Sequence, residues 1–159
     1  MANPDFLKLL EKELFMTLTL FENTFISLAE ANAYFSGRPH SETWQSLSDT
    51  EKEQALIFAT LKINSKHFVG SKLSAEQPLE FPRDFYPQIP AEIQYAVCEE
   101  ALAVAENSVH SKNRELGISS VTLGSFSVSY KTSVTCDTIL SQQASAFLSK
   151  WLVKSFNIN

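Results

Sequence analysis

The chain has 159 residues, 44% apolar and 19% charged, with twelve Phe, which is the size and balance of one domain able to bury a core without staples. Net charge is −5 and the pI is near 5.2; the scattered Lys and Arg argue against duplex DNA binding as the main task, because phosphate neutralisation dominates that affinity. No run of about 18 apolar residues is present to span a membrane, and Asp5, Lys8, Glu11, Lys12 and Glu13 interrupt any leader-like start, so synthesis in the cytoplasm is expected.

Residues 4–15 form an amphipathic pattern, with Phe6, Leu10 and Leu14 at four-residue spacing. They are either an N-terminal arm or an extra first helix, and the domain proper is expected over 16–159. Met16 to Phe21 alternates polar and apolar residues like a strand. Ser27 with Glu30 three residues on is a capping-box pattern, which predicts a helix over 28–35 that Gly37 and Pro39 end. Trp44 is placed in a linking turn. Asp49 or Ser48 then caps a helix to about Lys62, with Leu56, Ala59 and Ile63 as its core stripe and Ile57, Phe58 and Leu61 widening it. Lys62 and Lys66 near its end suit the helix dipole.

Pro78, Pro82, Pro87 and Pro90 make residues 64–90 a loop. Its Phe68, Leu79, Phe81, Phe85, Tyr86 and Ile89 are expected to pack over the helices as an ordered cover. Pro90 starts a helix over 90–110 whose stripe is Ile93, Val97, Ala101 and Val104, broadened by Cys98, Leu102 and Ala105. Glu92, Glu99, Glu100 and Glu106 are assigned to its solvated side. Arg114 to Gly117 closes that unit. Ile118 to Lys131 alternates strictly around Gly124-Ser125, the pattern of a β-hairpin. Such a hairpin is marginal alone and must pack or pair. Asp137 or Thr138 begins a last helix to about Val153, with Leu140, Ala144, Phe147, Leu148, Trp151 and Leu152 as its apolar face, and Ser155–Asn159 follow as a frayed tail. The expected fold class is mainly α: a small helical bundle of about four to five helices with one β-hairpin and a long Pro/aromatic-rich loop.

Reactive groups do not cluster in this pattern. Glu99 and Glu100 point about 100° apart on a helix and cannot easily share a proton. Cys98 and His110 sit roughly 18 Å apart along one helix. The four glycines are dispersed, so no phosphate-binding loop is expected. The three His and two Cys lack zinc spacing. Cys98 reads as a core thiol; Cys136 lies near a helix start, and a disulfide between them stays open. No catalytic residue, cofactor or metal is therefore expected, and no enzymatic activity.

Several segments together resemble the head–tail connector (neck or adaptor) proteins of tailed phages and prophages. They are Phe25-Ile-Ser-Leu-Ala-Glu-Ala-Asn-Ala-Tyr-Phe35 followed by Trp44, Gln77-Pro-Leu-Glu-Phe-Pro-Arg83, Ile89-Pro-Ala-Glu-Ile93 and the Ile118–Tyr130 alternation. The Gln-Pro-Leu and Phe-Pro-Arg element is the most specific. The resemblance spans roughly 16–153, and the 1–15 segment departs from it. It implies a structural protein of the virion, made in the bacterial host cytoplasm, that self-associates into a ring on the portal protein and meets tail-side neck proteins. DNA would pass through without specific binding, along acidic walls that do not hold it. Val121, Leu123, Phe126, Val128, Tyr130 and Trp151 are the expected contact residues of such a ring. The same pattern is similar to proteins labelled DnaT-like single-stranded-DNA-binding. That resemblance implies a replication accessory, in which Phe126, Tyr130 and Lys131 would touch bases.

Overall fold

Two of the helices begin where serine and glutamate stand three residues apart. The computed structural model describes residues 17–115, 120–123, 126–129 and 139–153, with side chains over 17–106 and 139–153. Among the described residues it is mainly helical, with five helices: α1 (Leu28–Ser36), α2 (Glu42–Ser46), α3 (Asp49–Asn64), α4 (Ala91–Glu115) and α5 (Gln142–Leu148). Ser27 Oγ accepts the Glu30 N–H at 3.3 Å, while Glu30 Oε2 accepts the Ser27 N–H at 3.0 Å. Ser48, not Asp49, is the cap of α3: its Oγ accepts the Glu51 N–H at 3.3 Å and its own N–H is taken by Glu51 Oε2 at 2.8 Å. Each reciprocal box satisfies two N–H groups that a helix start would otherwise strand.

The core lies where α3, α4 and α5 meet, closed by α1 and the aromatic segment over 65–90. Leu56, Ala59 and Ile63 of α3 and Ile93, Val97 and Ala101 of α4 are wholly buried, as their helical spacing predicts. Phe25, Phe35, Trp44 and Leu148 join them, and each such side chain contributes about 1.5–3 kcal/mol on burial. Cys98 is buried too, and burial pushes its thiol pKa up.

Several elements differ from expectation. Thr17–Phe21 forms no strand. Asn23 folds it into a turn, its Oδ1 accepting the Thr19 N–H at 2.7 Å and its Nδ2 donating to the Thr17 carbonyl at 2.8 Å. Phe21 takes φ 67° in that turn; a side chain that satisfies the backbone locally outcompetes the alternation. Trp44 sits within α2, stacked on Phe35 at 4.4 Å, and donates from Nε1 to Asn32 Oδ1 at 3.0 Å. Phe58 and Leu61 do not widen the α3 stripe; they are exposed. The last helix is shorter than expected: Ser141 caps it and Leu148 ends it. Beyond it the chain turns back along residues 67–69, with Val69 N–H donating to the Trp151 carbonyl at 2.9 Å and Val153 N–H to the His67 carbonyl at 3.0 Å.

Residues 65–90 run through turns and isolated bridges. Phe68, Leu79 and Phe81 are buried there, whereas Phe85 and Tyr86 are not. Ser120–Leu123 (β1) and Phe126–Ser129 (β2) lie antiparallel, with Val121 opposite Val128 and Leu123 opposite Phe126. The 1–15 segment, Gly124-Ser125, Tyr130, Lys131, Cys136, the expected helix start at Asp137 or Thr138 and the tail over 155–159 lie outside the described residues.

Candidate nucleic-acid interface

The two glutamates assigned to a solvated face of α4 are instead buried, Glu99 to 4% and Glu100 to 0% exposure. Because α4 is covered on several sides, its polar positions are enclosed and must find partners there. Glu99 takes a fork from Arg38, Nε to Oε1 at 2.5 Å and Nη2 to Oε2 at 2.8 Å, and the Tyr34 hydroxyl at 2.7 Å. Burial first, and then this hydrogen bond to a carboxylate, push the Tyr34 pKa up. Glu100 is ion-paired with Lys62, which lies in the last turn of α3 and is itself only 7% exposed. Glu100 also accepts the Leu140 N–H at 2.9 Å and the Ser141 N–H at 3.0 Å, which anchors the entry to α5. Every oxygen of these carboxylates has a partner, so they hold the fold together and offer no open acid–base pair.

The specific Gln77–Arg83 element is a second structural centre. Gln77 Nε2 donates to the Leu79 and Pro82 carbonyls at 2.8 and 2.9 Å. Arg83 donates from Nε to the Val69 carbonyl at 3.0 Å and from Nη2 to the Phe68 carbonyl at 3.2 Å and the Gly70 carbonyl. From Nη1 it reaches Glu80 Oε2 at 2.7 Å. At 5% exposure the guanidinium is a brace between two loop strands and not a surface charge.

That brace presents Phe85, 80% exposed, and Tyr86, 49% exposed, at the rim of a cleft of about 270 Å³ that Val69, Arg83, Lys150 and Trp151 complete. Tyr86 meets Trp151 edge-on at 4.7 Å, and Lys150 Nζ lies 5.0 Å from the Trp151 ring centroid. Lys150 also pairs with Glu92 in the first turn of α4. That ion pair holds the Glu92 carboxyl below its ordinary pKa. One turn farther along each element, Phe147 meets Tyr95 at 5.9 Å, and Tyr95 stacks on Tyr34 at 5.0 Å. The rings thus form two separate groups, Tyr86 with Trp151 and Lys150 at the cleft, and Phe147 with Tyr95 and Tyr34 beside α4.

This arrangement differs from the expected site. Trp151, expected on a contact surface, is only 8% exposed and belongs to the core. Val121, Leu123, Phe126 and Val128 have described backbone pairing only, and Tyr130 and Lys131 lie outside the described residues. Phe85, Tyr86 and Lys150 are what the structure brings together at one cleft; the one sequence signal for it was an aromatic pair between Asp84 and Pro87, where the chain has no periodicity to bury it. Among the described residues no three of His, Cys, Asp and Glu converge to hold a metal ion, and no helix is long and apolar enough to cross a membrane.

No curated protein and no solved structure matches the chain. A family model described as "Putative DnaT-like ssDNA binding protein" matches residues 20–159. A match over nearly the whole chain shows the family: the protein belongs to the DnaT-like single-stranded-DNA-binding family.

Proposed function

We propose that the protein is a single-stranded-nucleic-acid-binding accessory that uses the exposed rings of Phe85 and Tyr86 beside Lys150. The carrying observation is Phe85 and Tyr86 held outward beside Lys150; family membership supports it. Bases stack on such rings at about 1–3 kcal/mol each, whatever their sequence. The chain carries −5 overall, so stacking has to supply most of the affinity, with a single phosphate near Lys150. The salt dependence is then shallow, with a log–log slope no steeper than the value of about −0.7 for one full phosphate contact. Neither binding nor stacking needs a catalytic group.

Fluorescence anisotropy with a labelled oligothymidine at two salt concentrations tests this reading. Dissociation constants in the micromolar range are expected, weakened about thirtyfold or more by Phe85→Ala with Tyr86→Ala. No binding at about 100 μM protein, or binding untouched by the double substitution, defeats it. Phe126→Ala serves as the control for a site on β2.

A second reading is the ring-forming head–tail connector. Its support is the apolar face left open on α3, where Phe58 and Leu61 are 43% and 52% exposed beside a cleft of about 490 Å³ that Leu47, Ala55, Val104 and Ala105 help line. Open apolar surface of this kind fits a protein partner better than a nucleic acid. Native mass spectrometry, alone and with a portal protein, separates the two readings: a closed ring favours the connector, and a monomer that ignores the portal removes it.

A further inference from the structure

Two cations line the Phe85–Tyr86 cleft, and they differ in what they can give up. Arg83 spends Nε, Nη1 and Nη2 on Val69, Glu80, Phe68 and Gly70 and is closed to solvent. Lys150 is 57% exposed at its side chain, and its ion partner among the described residues is Glu92, itself 37% exposed. An ammonium carries three donors, and an exposed ion pair is worth only about 0–1 kcal/mol. Exchange of the carboxylate for another anion is therefore cheap. Glu92 also sits in the first turn of α4. The positive end of that helix favours a carboxylate whether or not Lys150 is present, so losing the lysine does not strand a charge.

We propose that Glu92 and Lys150 form an exchangeable latch, in which a phosphodiester of the bound strand displaces the Glu92 carboxylate from Lys150 while the neighbouring base stacks at Phe85 and Tyr86. The inference rests on the single-strand reading above. Glu92 acts through Lys150: it is a positioning residue that sets affinity and salt dependence and touches no base. A strand binding here meets an occupied cation, and part of its electrostatic gain is spent in releasing Glu92. Lys150 Nζ lies over the Trp151 ring, so the freed ammonium stays at the cleft through its contact with that ring.

The test is anisotropy with a labelled oligothymidine on four proteins: the unaltered chain, Glu92→Gln, Lys150→Ala and the double variant. Glu92→Gln is expected to bind about two- to fivefold tighter, the worth of an exposed ion pair. Its log–log salt slope should steepen towards one full phosphate contact, about 0.7. Lys150→Ala should weaken binding and flatten that slope, and on that background Glu92→Gln should change nothing. An equal gain from Glu92→Gln with and without Lys150 would mean a general charge effect and overturn the latch, as would no gain at all. In both of those cases the single-strand reading survives, because the unaltered chain still binds. If none of the four proteins binds, the single-strand reading falls and takes the latch with it. Unchanged melting of Glu92→Gln confirms that the fold is not the source of the difference.

Discussion

Two glutamates on α4 each face a lysine from a neighbouring element, and their settings are opposite. Glu100 and Lys62 are 0% and 7% exposed at the side chain, while Glu92 and Lys150 are 37% and 57% exposed. The buried pair has already lost its water, so neither partner can leave without abandoning a charge in an apolar interior. Glu100 adds two backbone N–H groups at the start of α5, which ties three segments to one carboxylate. The exposed pair exchanges with solvent and ions at little cost. The same chemical pair is thus a structural fastening midway along the helix and an adjustable contact at its first turn, and burial alone makes the difference.

The sharpest way to break the comparison is Lys62→Ala. It leaves Glu100 charged and enclosed, and a loss of about 3–5 kcal/mol is expected in urea or guanidinium unfolding. A loss below about 1 kcal/mol would show that water reaches Glu100 and that the two pairs are alike. Arg83→Lys comes next, with a loss of about 2 kcal/mol, because one ammonium cannot serve acceptors on Phe68, Val69, Gly70 and Glu80 in the plane of a guanidinium. Limited proteolysis within 65–90 should accelerate with it.

Ser27→Ala is smaller, about 1 kcal/mol, and carries a pH signature. The Ser27 hydroxyl and then its N–H, both held by Glu30 Oε2, lower the Glu30 pKa from its ordinary 4.5. A depressed carboxyl stabilises fully above its unfolded-state value and loses that contribution as pH falls through the folded-state value. The stability gap between the unaltered chain and Ser27→Ala should therefore be constant above about pH 4.5 and narrow below it. Smallest is Glu92→Gln, at about 0–1 kcal/mol of stability. A larger loss would make the exposed pair a fastening as well.

Much of the body was readable before folding. Ser27 with Glu30, and Leu56 with Ala59 and Ile63, state a helix start and a helix face through local spacing alone. Glu99 and Glu100 were not readable. Adjacent positions on a helix point in different directions, and that both are enclosed depends on Arg38, Tyr34, Lys62 and residues 140–141 converging from distant parts of the chain. The exposed ring pair was hidden for the converse reason. Phe85 and Tyr86 look like core residues by type, and only the bracing of the Arg83 segment turns them outward. The expected contact residues Val121 to Tyr130 were chosen from alternation, which reports strand geometry and says nothing of what the strands touch.

Arg83 also bears on the energetics of recognition. Ordering a loop side chain at an interface costs about 0.5–1.5 kcal/mol, and a segment already clamped to four carbonyls has little of that entropy left to lose. A partner arriving at this rim would meet a preorganised anvil, with the penalty of becoming ordered falling almost wholly on the incoming polymer.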